Sequence, residues 1–311
     1  CCSLSIQSFA DQPLEGFTYG SVNAPTGKEW ESPENLALNK EQPHAYFFPF
    51  QHLDNARKVL PENSKYWQSL DGDWKFHWAP DPDSRPKDFY QTEYDVSSWD
   101  AIPVPSSWNI YGIQKDGSQK YGTPIYVNQP VIFQHSVKVD DWRGGVMRTP
   151  PANWTTYKDR NEVGSFRRDF EIPQDWDGRE VFISFDGVDS FFYLWINGQY
   201  VGFSKNSRNT ANFNITPYLQ KGKNTVAAEV YRSSDGSFLE AQDMFRLPGI
   251  FRTVALYSVP KVHFRDLVAT PDLDVTYTDG SLTVNAEIRN LDKKAIKDYK
   301  VYYSLYANKL Y

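Results

Sequence analysis

Within YRSSDGSFLEAQDMFRLPGIFR, residues 231–252, three carboxylates stand close together: Asp235, Glu240 and Asp243. Glu240 and Asp243 are three residues apart, a spacing that on a helical turn brings two side chains to one face. Two neighbouring carboxyls are what proton transfer to and from a polar bond requires. A lone pair of acids in a turn is, however, more often a solvated face. Asp235-Gly236 reads as a turn, and Arg246 reads as an ion-pair partner for Glu240.

Other chemistries find less support. The five histidines, His44, His52, His77, His135 and His263, show no paired spacing for a metal. His77, inside WKFHW, reads as a half-buried strand residue. No G-x-S-x-G turn offers a serine nucleophile. The two cysteines are Cys1 and Cys2, which excludes a disulfide framework and a cysteine zinc site. With 33 basic against 39 acidic residues the net charge is −6, and no Lys/Arg cluster tracks phosphates, so nucleic acid is not an expected partner. No stretch approaches the roughly 20 apolar residues of a membrane-spanning helix. Ser8-Phe9-Ala10 follows the small-x-small pattern of an export cleavage site, with Asp11 as the mature start; a lipid-modified Cys1 is the other reading. Either implies a periplasmic or lipid-anchored cell-surface location.

The elements that must position the acids are strands. GSFRRDFEIP (164–173), REVFISFDGV (179–188), FFYLWINGQYVGFS (191–204), NTVAAEVYR (224–232) and GIFRTVALYSV (249–259) are short β-branched or aromatic runs bounded by turn residues. Asn197-Gly198 between apolar runs predicts a tight hairpin. Helix signals are scarce; the best is HLDNARKVLPENSKYW, where Asp54 is expected to cap a short turn that Pro61 stops. The absence of βαβ alternation argues for an all-β, antiparallel sandwich of jelly-roll type. Its core would draw on the 10 Trp, 20 Tyr and 20 Phe. After Pro260 the texture changes to KVHFRDLVATPDLD, GSLTVNAEIRNLD and IKDYKVYYSLYAN, strand-like runs with Asp279-Gly280 as a hairpin turn. These 51 residues are half of an immunoglobulin-like domain of about 100, so the chain is expected to stop within that second sandwich.

In order, EWESPENLALNKEQPHA (29–45), LDGDWKFHW (70–78), IPVPSSWNIYG (102–112), YGTPIYVNQP (121–130), FDGVDSFFYLWINGQYVGFSKNSR (185–208) and FNITPYLQKGKNTVAAEVYRSSDGSFLEAQDMFRLPGIFR (213–252) closely resemble the amino-terminal sugar-binding domain of glycoside hydrolase family 2 β-galactosidases. SDGSFLEAQDMFRLPGIFR is similar to the β-galactosidase version rather than to those of β-glucuronidases or β-mannosidases. The resemblance implies a galactose-binding-domain-like jelly roll over 28–260, after a signal remnant and extension over 1–27. A truncated immunoglobulin-like sandwich would follow over 261–311. The segment 135–163 looks longer than the family's usual connection and reads as a surface loop able to reshape a site rim or an oligomer contact.

Family 2 enzymes are retaining glycosidases, which use two carboxyls about 5–5.5 Å apart. The resemblance places both in a TIM barrel beyond residue 311, so no catalytic residue is expected in this chain, and the chain alone is expected to be inactive. What it implies here is auxiliary. Asn128, in YVNQP, matches an asparagine that hydrogen-bonds galactose. Asp243, in QDM, matches an aspartate that contacts the sugar and helps hold a sodium ion shared with the absent barrel; magnesium is implied for the intact enzyme as well. Asn and Asp do supply the donors and acceptors that sugar discrimination needs. Their plain alternatives are turn formation for Asn128 and turn or cap chemistry for Asp243. The expected partners are a β-galactoside, the downstream domains and other subunits of an oligomer. The competing reading is a non-catalytic carbohydrate-binding module.

Overall fold

The computed structural model describes residues 2–6, 14–127, 161–240 and 243–305. The chain divides into two compact units, Asp11–Val259 and a smaller one made of Cys1–Ala10 with Pro260–Tyr311. In chain order the strands are β1 (Cys2–Ile6), β2 (Phe17–Thr18), β3 (Ala37–Leu38), β4 (Trp67–Ser69), β5 (Gly72–Ala79), β6 (Asp100–Val104), β7 (Ile125–Val127), β8 (Val163–Glu171), β9 (Glu180–Phe185) and β10 (Val188–Asp189). They continue with β11 (Phe191–Ile196), β12 (Gln199–Lys205), β13 (Ala211–Asn214), β14 (Lys223–Tyr231), β15 (Met244–Arg246), β16 (Gly249–Ile250), β17 (Val254–Val259), β18 (Val262–Leu273) and β19 (Gly280–Asn290). Three short helices are described, α1 (Leu53–Lys58), α2 (Trp108–Tyr111) and α3 (Ser237–Glu240).

The larger unit is an all-β jelly-roll sandwich. One sheet runs β2-β3-β12-β11-β14-β8-β5-β6 and a second β13-β9-β17-β4. Alternation along β11 shows how the sequence builds it. Phe192, Leu194 and Ile196 enter one core with Phe76, Phe166, Ile183, Phe185 and Leu256. Phe191, Tyr193 and Trp195 enter another with Trp30, Phe89, Phe203 and Tyr231. Successive side chains leave opposite faces of a strand, so an unbroken apolar run is what burial on both faces requires. The hairpin between β11 and β12 turns at Asn197 (φ 50°) and Gly198 (φ 78°), as the Asn-Gly pair predicts.

The second core is covered by residues 80–99, which no periodic pattern marks. Arg167 of β8 fixes this cover, its guanidinium donating to the carbonyls of Phe89, Gln91, Thr92 and Tyr94. Tyr90 then stacks on Trp195 at 4.8 Å between ring centres.

Three expectations need correction. Helix α1 starts after His52 with no side-chain cap, and Asp54 lies inside its first turn. It ends at Val59 in the left-handed region (φ 54°), before Pro61 opens the next turn. In the smaller unit β18 and β19 form an antiparallel hairpin with β1 parallel to β19. The turn is not at Asp279-Gly280. It spans Asp274–Asp279, where the Asp274 carboxylate accepts from the amides of Thr278 at 2.7 Å and Asp279 at 3.0 Å while Tyr277 takes φ 57°. Finally, IKDYKVYYSLYAN forms no strand over its described residues 296–305. Tyr299, Tyr302 and Tyr303 are exposed there, and strand propensity expresses packing on a half-buried surface that these residues lack.

Candidate functional site

Asp243 lies directly before β15, which pairs antiparallel with β7 in the register Met244↔Val127, Phe245↔Tyr126 and Arg246↔Ile125. Residues on facing strands of such a ribbon meet across it. The Tyr126 hydroxyl donates to the Asp243 carboxylate at 2.5 Å. That hydrogen bond and the carboxylate's charge push the Tyr126 hydroxyl above its ordinary value. Both side chains are exposed, and Phe245 lies 5.2 Å from the Tyr126 ring. Asn128 follows Val127, the strand partner of Met244, but lies outside the described residues, as do Ser8-Phe9-Ala10 and residues 135–160 of the long loop.

A buried ion pair ties the two arms of this ribbon to the sandwich. Arg232, one residue after β14, donates to Glu162 at 2.5 Å, and the two side chains are 1% and 0% exposed. Trp108 Nε1 and Asn109 Nδ2 donate to the other oxygen of Glu162, and Arg232 donates to the carbonyl of Thr123. The chain leading to Asp243 and the chain leading to β7 therefore meet at one guanidinium. Gly122 is required at this point: its φ is +70°, and a Cβ would sit 2.2 Å from Glu162 Oε1.

The segment between β14 and β15 is held by two further carboxylates. Asp235 is in a turn, as its Asp-Gly sequence predicts, and also pairs with Lys205 at 2.9 Å, both nearly buried. Glu240 does not pair with Arg246 among the described residues. Its two oxygens accept from the Ser207 amide at 2.8 Å and the Ser207 hydroxyl at 2.5 Å, because α3 turns it toward the β12–β13 connection. Asp243 lies outside that helical turn and takes a different partner. Glu240 and Asp243 thus form no acid–base pair, and no group of three or more His, Cys, Asp or Glu able to hold a metal is found among the described residues.

Beside them Asp189 accepts from Arg208 at 3.3 Å, and Arg208 also reaches the Met244 sulfur at 3.5 Å. Burial outweighs this arginine and pushes the Asp189 carboxyl up to about 6. A folded-state pKa above the unfolded one means the native state holds more protons, so this group's contribution to stability falls as pH rises from about 4 to about 6. Asp189→Asn is expected to lose less stability than the parent over that window, measured by urea midpoints at pH 4 and pH 6.5. Equal losses would place the titration elsewhere.

Residues 67–260 match the family model described as "Glycosyl hydrolases family 2, sugar binding domain". The chain belongs to glycosyl hydrolase family 2. Its curated family 2 relatives include "Beta-galactosidase" of Priestia megaterium, 41% identical over 89% of this chain and 25% of that protein, and "Beta-galactosidase" of Halalkalibacterium halodurans, 37% identical over 84% and 24%. The "Beta-galactosidase large subunit" of Lactobacillus helveticus is 34% identical over 87% of this chain and 42% of its own length. The chain therefore spans about a quarter of the length of the first two relatives. Among solved structures, a β-glucuronidase from Ruminococcus gnavus superposes with a TM-score of 0.51 at 14% identity, over 79% of this chain and 36% of that one. A calcium-binding mutant of Bacteroides uniformis β-glucuronidase 2 gives 0.50 at 21%, over 72% and 22%. These likenesses establish the family 2 jelly roll as the fold.

Sequence reasoning singled out Asp243 but not Tyr126, Lys205, Glu162 or Arg232. Tyr126 had a signal, since IYV continues the motif that carries Asn128. The buried pairs had none: their partners are 30 and 70 residues apart in sequence.

Proposed function

We propose that the protein containing this chain hydrolyses terminal β-D-galactosides with retention, and that this jelly roll supplies one wall of the sugar pocket rather than the reacting carboxyls. The observation that carries the reading is the 41% identity to a protein named β-galactosidase, joined to the placement of Asp243. Asp243 is an exposed carboxylate at the end of an anchored ribbon, held by a neutral hydroxyl and by no cation among the described residues. Such a group is presented outward, free to accept hydrogen bonds from sugar hydroxyls. Asn128, one residue beyond β7, belongs to the same wall in this reading.

Sodium and magnesium remain part of the proposal. Asp243 fits as one hard oxygen donor to a shared sodium ion, and the other donors would come from elsewhere in the protein. When bound, the ion would supply positive charge toward the sugar's oxygens.

The test is kinetic and uses the complete enzyme with nitrophenyl β-galactoside. Asp243→Ala is expected to lower kcat/KM by about 100-fold, while Glu240→Ala, which loses only bonds to Ser207, is expected to cost less than about tenfold. Equal effects would overturn the role given to Asp243. Unchanged kcat/KM in both would remove this wall from the pocket.

A further inference from the structure

The β7–β15 ribbon carries Asp243 to its end and also sets a tyrosine against it. Tyr126 of β7 stands opposite Phe245 of β15, and residues two apart along a strand leave the same face. Asp243, two positions before Phe245, is therefore the diagonal neighbour of Tyr126, a separation of about 7–8 Å that only a long side chain bridges. Tyrosine is long enough. Its hydroxyl donates to Asp243 Oδ1 at 2.5 Å, and its ring lies 5.2 Å from that of Phe245, tilted by 52°.

The consequence falls on the carboxylate. Oδ1 is taken by the hydroxyl, while Oδ2 accepts no hydrogen bond among the described residues. An exposed aspartate without such a bond turns freely about its side-chain torsions, and ordering it at the moment of binding costs a factor of roughly 2–10 in affinity. A hydrogen bond to a charged acceptor is about twice as strong as a neutral one, so it can do this ordering in advance. The donor type matters too. A lysine or arginine at position 126 would neutralise the carboxylate, whereas a hydroxyl fixes one oxygen and leaves the charge for a ligand.

We propose that Tyr126 is a positioning residue, which holds Asp243 by Oδ1 so that Oδ2 is ready to accept a hydrogen bond from the sugar. The proposal rests on the reading of Asp243 as a group that contacts the sugar, and gives Tyr126 no contact of its own.

A double-mutant cycle in the complete enzyme tests it, with nitrophenyl β-galactoside as substrate and free galactose as inhibitor. Tyr126→Phe keeps the ring beside Phe245 and removes only the hydroxyl. It is expected to lower kcat/KM by about 5- to 10-fold and to raise the Ki of galactose by a similar factor. The urea midpoint is expected to stay unchanged, because both side chains are exposed. In the Asp243→Ala background the same change is expected to cost less than about twofold. An equal cost in both backgrounds would overturn the proposal, since the hydroxyl would then act without Asp243. An unchanged Tyr126→Phe enzyme, beside an Asp243→Ala enzyme that has lost about 100-fold, would overturn it while leaving the role of Asp243 standing. Asp243→Ala without effect would overturn both.

Discussion

Glu162→Ala is expected to destabilise the jelly roll by about 3–5 kcal/mol, the cost of breaking a buried ion pair by removing one partner. The substitution takes the carboxylate away from the enclosed Arg232 guanidinium, and removes the acceptor of the Trp108 indole N–H and one of the two acceptors of the Asn109 amide, which keeps the Tyr121 carbonyl. A domain of this kind holds together by roughly 5–15 kcal/mol, so the loss is a large share. Glu162→Gln keeps an oxygen for Trp108 and Asn109 and is expected to cost less than the alanine variant. The measurement is urea unfolding of the chain followed by tryptophan fluorescence, with the midpoint falling while the slope stays constant. A fall under 1 kcal/mol would show that water solvates Arg232 and that the ion pair is not the anchor described above. The consequence for the site is direct, because Arg232 also holds the Thr123 carbonyl. Losing it frees both arms of the β7–β15 ribbon at once.

The same ion pair shows where sequence reading stops. The strands were legible because alternation and turn chemistry are local: FFYLWI, then Asn197-Gly198, then a second apolar run describes the β11–β12 hairpin with no knowledge of its neighbours. The family was legible because its motifs keep their order. The anchors were not. Glu162 and Arg232 are ordinary charged residues in sequence, and only the pairing of β14 with β8, which brings Tyr231 opposite Val163, makes them neighbours. Glu240 illustrates the opposite error. Arg246 is six residues away, yet Ser207, thirty-three away, takes both its oxygens. Residues 80–99 were missed for a related reason, since their grip on the sheet runs through backbone carbonyls and Arg167, and carbonyls leave no mark on a sequence. In the tail the error came from propensity, because YKVYY has the composition of a strand and the structure buries neither face of it.

Lys205→Met is the second large effect, and its pH dependence separates it from a simple packing loss. The ammonium of Lys205 donates to Asp235 at 2.9 Å and to the Ser32 carbonyl at 2.6 Å, with side chains 4% and 3% exposed in the ion pair. It fastens residues near 32 and the turn at 235 to the end of β12. Burial already raises the Asp235 carboxyl, and Lys205 is the largest influence holding it down. Methionine fills the space of the lysine stem but removes the counter-charge, so the Asp235 carboxyl rises further. A raised folded-state pKa favours the native state at low pH and penalises it once pH passes that value. The expected loss is therefore about 3 kcal/mol at pH 7.5 and distinctly smaller at pH 4.5, where Asp235 can take up a proton. Adding Asp235→Asn to Lys205→Met should restore most of the pH 7.5 loss, because the stranded charge, rather than the missing bond, dominates it. Urea midpoints at the two pH values for parent, single and double variants decide the matter. If the single and double variants unfold together at pH 7.5, the ion pair is acting through packing alone, and the anchoring of residue 32 must rest on the lysine stem.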